Sequence, residues 1–390
     1  MGRLSVRHLF LFFFALLSLI SAFSLDGLAR PAVVSSKGWS SYTTSHFRVL
    51  VESQRVDGAR LATGLELFRE LLSLRGYPVE QEGSASTTVV VFRRGRELRA
   101  YGAPDFPRGM RCVVFALARE AGSYLVMDSG APGDELRESA YRGYMRLVID
   151  STPKLRPLWF RVGMSEYYRS FNRQQGIVSF GKQMRRYVFF LRTHRGLPIE
   201  RLLTINDADL AEMRVFERDL FTAQSWGLVH FLFTNGDERK RQARLLVAAL
   251  AEGSDAHHAL VRAFGEKAGE ISRQLELYIR RSRLPFQQLR SPAFSQPPKL
   301  TRQRVAPADV FFELGRLLAL VQVPGASEHY RAALKLEADH PRALEELERL
   351  GAGAKGETPP QVIALARSVP FAEDTGFPEI AGGDPSFPSR

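Results

Sequence analysis

Chemistry in this chain would have to come from a small set of side chains. Glu166, within SEYY, is a carboxylate in a tyrosine-rich stretch, and Tyr141 and Tyr144 lie upstream of it. A glutamate and a tyrosine with shifted pKa values can act as acid and base. The eight histidines are the other source. A metal-hydrolase helix carries His-Glu-x-x-His, with both imidazoles on one helical face and the Glu as general base. No such pattern occurs, and no His lies between His46 and His194. His46 opens a β-branched stretch without a second His nearby, so it reads as a polar strand end. His194, between Arg192 and Arg195, reads as an exposed helix end. His257 and His258 are adjacent, so on a helix they diverge by about 100° and form no clamp. The only cysteine, Cys112, lies in the apolar run CVVFALA and reads as a small buried hydrophobe rather than a nucleophile.

The elements that must position these residues follow from periodicity. Residues 135–171 begin as an amphipathic helix, pass a turn marked by Pro153 and Pro157, and re-enter a helix at 158–171. Ahead of them, HFRVLVE at 46–52 alternates like a strand, and residues 60–74 place Leu61, Leu65, Phe68, Leu71 and Leu72 on a helical stripe ended by Gly76 and Pro78. Three more strands are expected at 87–93, 111–118 and 123–127. Residues 172–222 are mixed, with a helix to about His194 stopped by Gly196 and Pro198.

The segment PLWFRVGMSEYY closely resembles the PLWFxEGxAEYF segment of the gluzincin group of zincin-like metallopeptidases. The stretch 221–280, with Gln224-Ser225-Trp226, an apolar helix, Gly253 and a last helix, resembles the helical C-terminal half of the same group. HFRV is similar to the group's first strand. The resemblance covers about 42–282 and implies an α+β, zincin-like domain: a mixed sheet on the active-site helices, followed by a helical half. Residue by residue, it places the first metal His on Ala140, the general base on Tyr141, the second His on Tyr144 and the third-ligand Glu on Val162. Only the later glutamate, Glu166, is kept. It therefore implies a peptidase fold without peptidase machinery, with no catalytic residue, no metal and no other cofactor. His230, on the QSW helix, could face the old metal position, but with no partner ligands it reads as a core or rim histidine. In zincins the strand beside the cleft holds a peptide by strand addition, and 123–127 would take that place.

Residues 309–350 resemble a tetratricopeptide repeat. Leu314-Gly315, Ala326, Tyr330 and Ala333 stand for its packing positions, Ala338 replaces the usual Pro, and the helix spacing is one residue short. A single repeat is expected to dock on the main domain or to cap a partner. Residues 25–41 and the Pro-rich, basic 283–308 read as linkers, and 351–390 as a disordered tail.

The chain has 390 residues, 45% hydrophobic and 25% charged, enough for a sizeable core. Its formal charge of +12 comes from basic residues interleaved with acids, without a nucleic-acid module. An anionic envelope surface is a further partner that this balance admits. Arg3, Arg7 and His8 precede LFLFFFALLSLI and SAFS, a signal-peptide pattern over 1–24. A lone Cys forms no internal disulfide, so an exported chain must be held by its core. Two functions emerge: an exported or envelope-associated binding or scaffolding protein that meets a protein or peptide partner through its cleft and helical repeat, or a hydrolase with a rebuilt site using Glu166 and Tyr141 or Tyr144.

Overall fold

The computed structural model describes residues 35–52, 56–79, 86–101, 112–116, 123–130, 133–151, 156–265, 268–321, 323–351 and 362–363. Residues 1–24, read as a signal peptide, most of 25–41, read as a linker, and most of 351–390 lie outside them. Among the described residues no helix is long and apolar enough to cross a membrane.

The chain is α+β. β1 (Ser40–Thr43) and β2 (Phe47–Val51) form a hairpin, α1 (Gly58–Leu74) returns across the sheet, and β3 (Thr87–Phe92) lies parallel to β2. Asp57 caps α1 by accepting from the Arg60 backbone N–H. After α2 (Gly95–Tyr101) come β4 (Cys112–Ala116) and β5 (Ser123–Asp128), which are antiparallel to each other, with β5 parallel to β3. Cys112 thus opens a strand, opposite Met127.

Every residue of β3 is buried. Val89 and Val91 face one core and Val90 and Phe92 the other; on β5, Leu125 and Met127 oppose Tyr124 and Val126 in the same way. A strand buried on both faces is apolar throughout rather than alternating. TTVVVF is such a run.

The first face carries α1, α3 (Gly133–Asp150) and α4 (Leu158–Tyr168), followed by a hairpin of β6 (Asn172–Gln174) and β7 (Ile177–Phe180). Gln175 (φ 48°) and Gly176 (φ 75°) form its two-residue turn, with the left-handed conformations a tight hairpin demands. The helical half then follows: α5 (Arg185–Thr193), α6 (Ile199–Thr204), α7 (Asp207–Glu212), α8 (Val215–Thr234), α9 (Asp237–Ala251), α10 (Ala256–Phe264) and α11 (Ala268–Ile279). α8 runs through its centre, buried almost all round from Leu220 to Leu232. Gly163 on α4 lets it touch α8, because a Cβ there would run into the Ser225 carbonyl oxygen.

The C-terminal third departs from the expected layout. The segment 283–308, read as a linker, carries two strands. β8 (Gln287–Arg290) joins β7 in a three-stranded sheet. β9 (Thr301–Arg304) pairs with β1 at the edge of the large sheet. Short polar strands give no apolar alternation, which is why the composition hides them. α12 (Pro307–Leu320), α13 (Ala326–Leu336) and α14 (Pro341–Gly351) then cover the second face of the sheet. The close approach of α12 and α13 rests on Gly315, where a Cβ would lie 2.7 Å from the Tyr330 ring. The inner face of this hairpin meets Trp39, Leu50, Val90, Phe92, Tyr124 and Val126, so it docks on its own sheet. Buried Glu313 pins it, accepting from Arg48 Nη1 at 2.5 Å and Tyr124 Oη at 3.2 Å. Last, β10 (Val362–Ile363), inside the segment read as a disordered tail, pairs with β4. The sheet order is β10-β4-β5-β3-β2-β1-β9. The strand 123–127, expected beside an open cleft, is therefore interior and has no free edge for a peptide.

Candidate functional site

The α3–α4 pair is where the sequence places its chemistry, and the side chains there divide by helix face. Ala140 is fully buried. Tyr141 leans on α1 toward Gly64 and packs against Phe68 and Phe171, with ring centroids 5.1 Å from each. Tyr144 sits between Phe47 at 4.9 Å and Phe68 at 6.3 Å. Val162 is half-buried against the same core. Tyr144 thus fills the space between α3 and the sheet, and Tyr141 the space between α3 and α1.

Glu166 turns elsewhere. It is 2% exposed. Its Oε1 accepts from Arg142 Nη1 at 3.1 Å, and its Oε2 accepts from Arg169 Nη1 at 3.0 Å and Tyr187 Oη at 2.9 Å. Arg169 reaches on to Glu138 at 2.9 Å. Burial would raise the carboxyl pKa, but Arg169 and Arg142 outweigh it and hold it down at about 2. Burial, opposed by Arg137 and Arg60, pushes Tyr141 up to about 12. An acid–base catalyst works best with a pKa near the operating pH; these two groups are driven in opposite directions away from it. Glu166, Tyr141 and Tyr144 are not brought together as an acid–base set.

A second ionic group continues the seam. Arg146 Nε donates to Asp150 at 2.5 Å, Arg161 Nη1 lies 3.4 Å from Asp150, and Arg161 also pairs with Asp207. Burial lowers the Arg146 pKa, with Asp150 opposing. Arg142, Arg146 and Asp150 are spaced i, i+4, i+8, so a charged stripe runs along α3 where it meets α4 and α7. The i, i+4, i+8 spacing of these charges is the mark this seam leaves in the sequence.

Zinc needs three N, S or carboxylate ligands and an open position. Ala140 and Val162 supply no donor, Tyr141 and Tyr144 are packed in the core, and Glu166 spends both oxygens on two guanidinium groups and a phenol. These residues do not fit a zinc site. Among the described residues no group of three or more His, Cys, Asp or Glu could hold an ion.

His230, His46, His194 and His258 have structural partners. His230 is fully buried. Its Nε2–H donates to the Gly181 carbonyl at 2.9 Å, and its Nδ1 accepts from Tyr278 Oη at 2.8 Å, tying α8 to β7 and α11. Burial lowers its pKa to about 4, against the backbone hydrogen bond to Gly181. The folded state therefore binds this proton more weakly than the unfolded chain. Stability is full above the ordinary value of 6.5 and falls as pH drops through about 4. Urea unfolding should show a loss of roughly 3 kcal/mol across that window, shared with other groups. His230→Gln should remove its part of the slope; an unchanged slope would contradict the assignment.

His46, at the head of β2, pairs through Nδ1 with buried Glu66 of α1, which also accepts from Thr44 Oγ1 at 2.6 Å and the His46 backbone N–H at 3.1 Å. This anchor of strand to helix was not legible from His46 alone. His194 ends α5 and stacks on Phe190 at 4.4 Å. His258 helps to cap α10 with Asp255.

An open concavity lies elsewhere. A cleft of about 500 Å³ runs between residues 191–198 and α11, lined among others by Arg192, His194, Arg195, Glu276 and Arg280. One wall is held by Gln224, which accepts from the Leu197 N–H at 2.7 Å and donates to its carbonyl at 2.8 Å. Arg192 closes the end of α11 by donating to Ile279 O at 3.0 Å. No protein-family model matches this chain, and no curated protein matches it.

Proposed function

We propose that this protein is an exported, non-catalytic binding or scaffolding module built on a gluzincin-like domain, with a protein or peptide as its partner. One observation carries the reading: at the helix pair where the resemblance puts metal and general base, Glu166 is locked between Arg142, Arg169 and Tyr187. Peptide hydrolysis needs an activated water and a stabilised oxyanion, which the metal supplies in a zinc peptidase. Here the helix pair is cross-braced by ions instead. The docking of α12–α14 on the sheet leaves their outer side and the cleft beside α11 as the surfaces for a partner, which narrows the expected role of the helical repeat.

The test is turnover of a fluorogenic peptide library by the purified protein, with and without added zinc. Rates at the level of the protein-free blank are expected. Chelator-sensitive cleavage that tracks the protein through purification would overturn the reading in favour of a rebuilt hydrolase.

A further inference from the structure

A groove of about 240 Å³ lies where the start of α4 meets α8 and α9. Its floor is apolar: Phe160, Phe233, Val247 and Ala251. Arg156 and Arg244 stand at its rim. Arg156 lies over the Phe160 ring at 5.6 Å, and no ion pair joins either arginine to a carboxylate among the described residues. An apolar floor between two such cations fits a short segment that alternates aromatic side chains with carboxylates.

The chain contains that segment. Residues 371–390 carry Phe371, Phe377, Ile380 and Phe387 among Glu373, Asp374, Glu379 and Asp384, with Arg390 as the only basic residue. The chain as a whole is at +12. Ile363 is fixed beside Val114 at one edge of the sheet, and Phe377 lies 14 residues further on. An extended chain of that length spans up to about 46–50 Å. A body of this size has a radius of gyration of about 20 Å, so a tether of that length sweeps a large part of its surface from the β10 edge. Strand addition to the exposed edge of β9 suits this segment less well, because Pro370, Pro378, Pro385 and Pro388 interrupt any run of N–H donors.

We infer that the acidic, phenylalanine-bearing C-terminal segment docks in cis into this groove, Phe377 on the apolar floor and Glu373, Asp374 and Glu379 toward Arg156 and Arg244. This assignment stands apart from the non-catalytic reading and neither needs nor supports it.

The test uses the full chain with Phe377→p-benzoylphenylalanine. Irradiation should give a product of monomer mass, cross-linked to peptides that contain Phe160, Phe233 or residues 243–251. The rim reversals Arg156→Glu and Arg244→Glu, at positions outside the buried core, should lower the yield about fivefold, the effect expected of two partly exposed ion pairs. Adding Glu373→Lys, Asp374→Lys and Glu379→Lys should restore it. Cross-links to other surfaces, cross-links between molecules, or a yield indifferent to both charge reversals would each overturn the inference.

Discussion

Replacing Glu166 by Ala will destabilise the protein by about 3–5 kcal/mol, the cost of breaking a buried ion pair by removing one partner. The loss arises because Arg142 and Arg169, both buried, would lose the carboxylate they share, with Arg169 keeping its bridge to Glu138. Equilibrium urea unfolding at neutral pH reads it directly. Two further arms separate charge from packing. Replacing the network with Arg142→Met, Glu166→Leu and Arg169→Met should recover most of the loss, since apolar groups of similar volume often substitute for a buried ionic triad. In the unmodified protein the pH dependence has a fixed sign. The folded carboxyl is depressed from 4.5 to about 2, so its contribution is fully present above pH 4.5 and is lost as pH falls toward 2. A strained catalytic carboxylate behaves in the opposite way, because its removal often leaves stability unchanged or raises it. A Glu166→Ala protein as stable as the parent would therefore remove the brace.

Ending the chain after residue 305 will abolish the folded state. The truncation uncovers Trp39, Leu50, Val90, Phe92, Tyr124 and Val126, each at most 3% exposed in the intact fold. Large apolar side chains are worth about 1.5–3 kcal/mol apiece when buried. The loss is thus on the order of 10 kcal/mol, as large as the entire stability of an ordinary domain. The truncated chain should lose its near-ultraviolet dichroism and its cooperative thermal transition. A soluble, cooperatively folding 1–305 chain would mean that α12–α14 form a separate unit after all.

The sequence is informative where local patterns set the structure. The stripe of α1, the strands at 47–51 and 87–92, and the paired helices around Pro157 all lie within a few residues of their expected positions. The close approach of Gly315 to Tyr330 was an expectation from the resemblance of 309–350 to a tetratricopeptide repeat, not from local periodicity. What was not legible depends on non-local partners. TTVVVF shows a strand buried on both sides only once a second cover is known, and the helices that provide it lie more than 200 residues downstream. β9, TRQR, is a strand only because β1 offers it an edge. At the candidate site, Glu166 was visible, but Tyr187 comes from another helix and cannot be anticipated. Arg142 and Arg146 could have been, since two arginines at i, i+4 on an otherwise buried helix must be paired.

On the proposed reading, an ionic brace stands at the helix pair where a zinc peptidase holds its metal. The most direct test is the zinc content of the purified protein after incubation with excess zinc and exhaustive dialysis. The brace predicts no stoichiometric zinc, in the parent protein and in Glu166→Ala alike. One zinc per chain, lost on replacing Glu166 or His230, would show a rebuilt metal site and contradict the account.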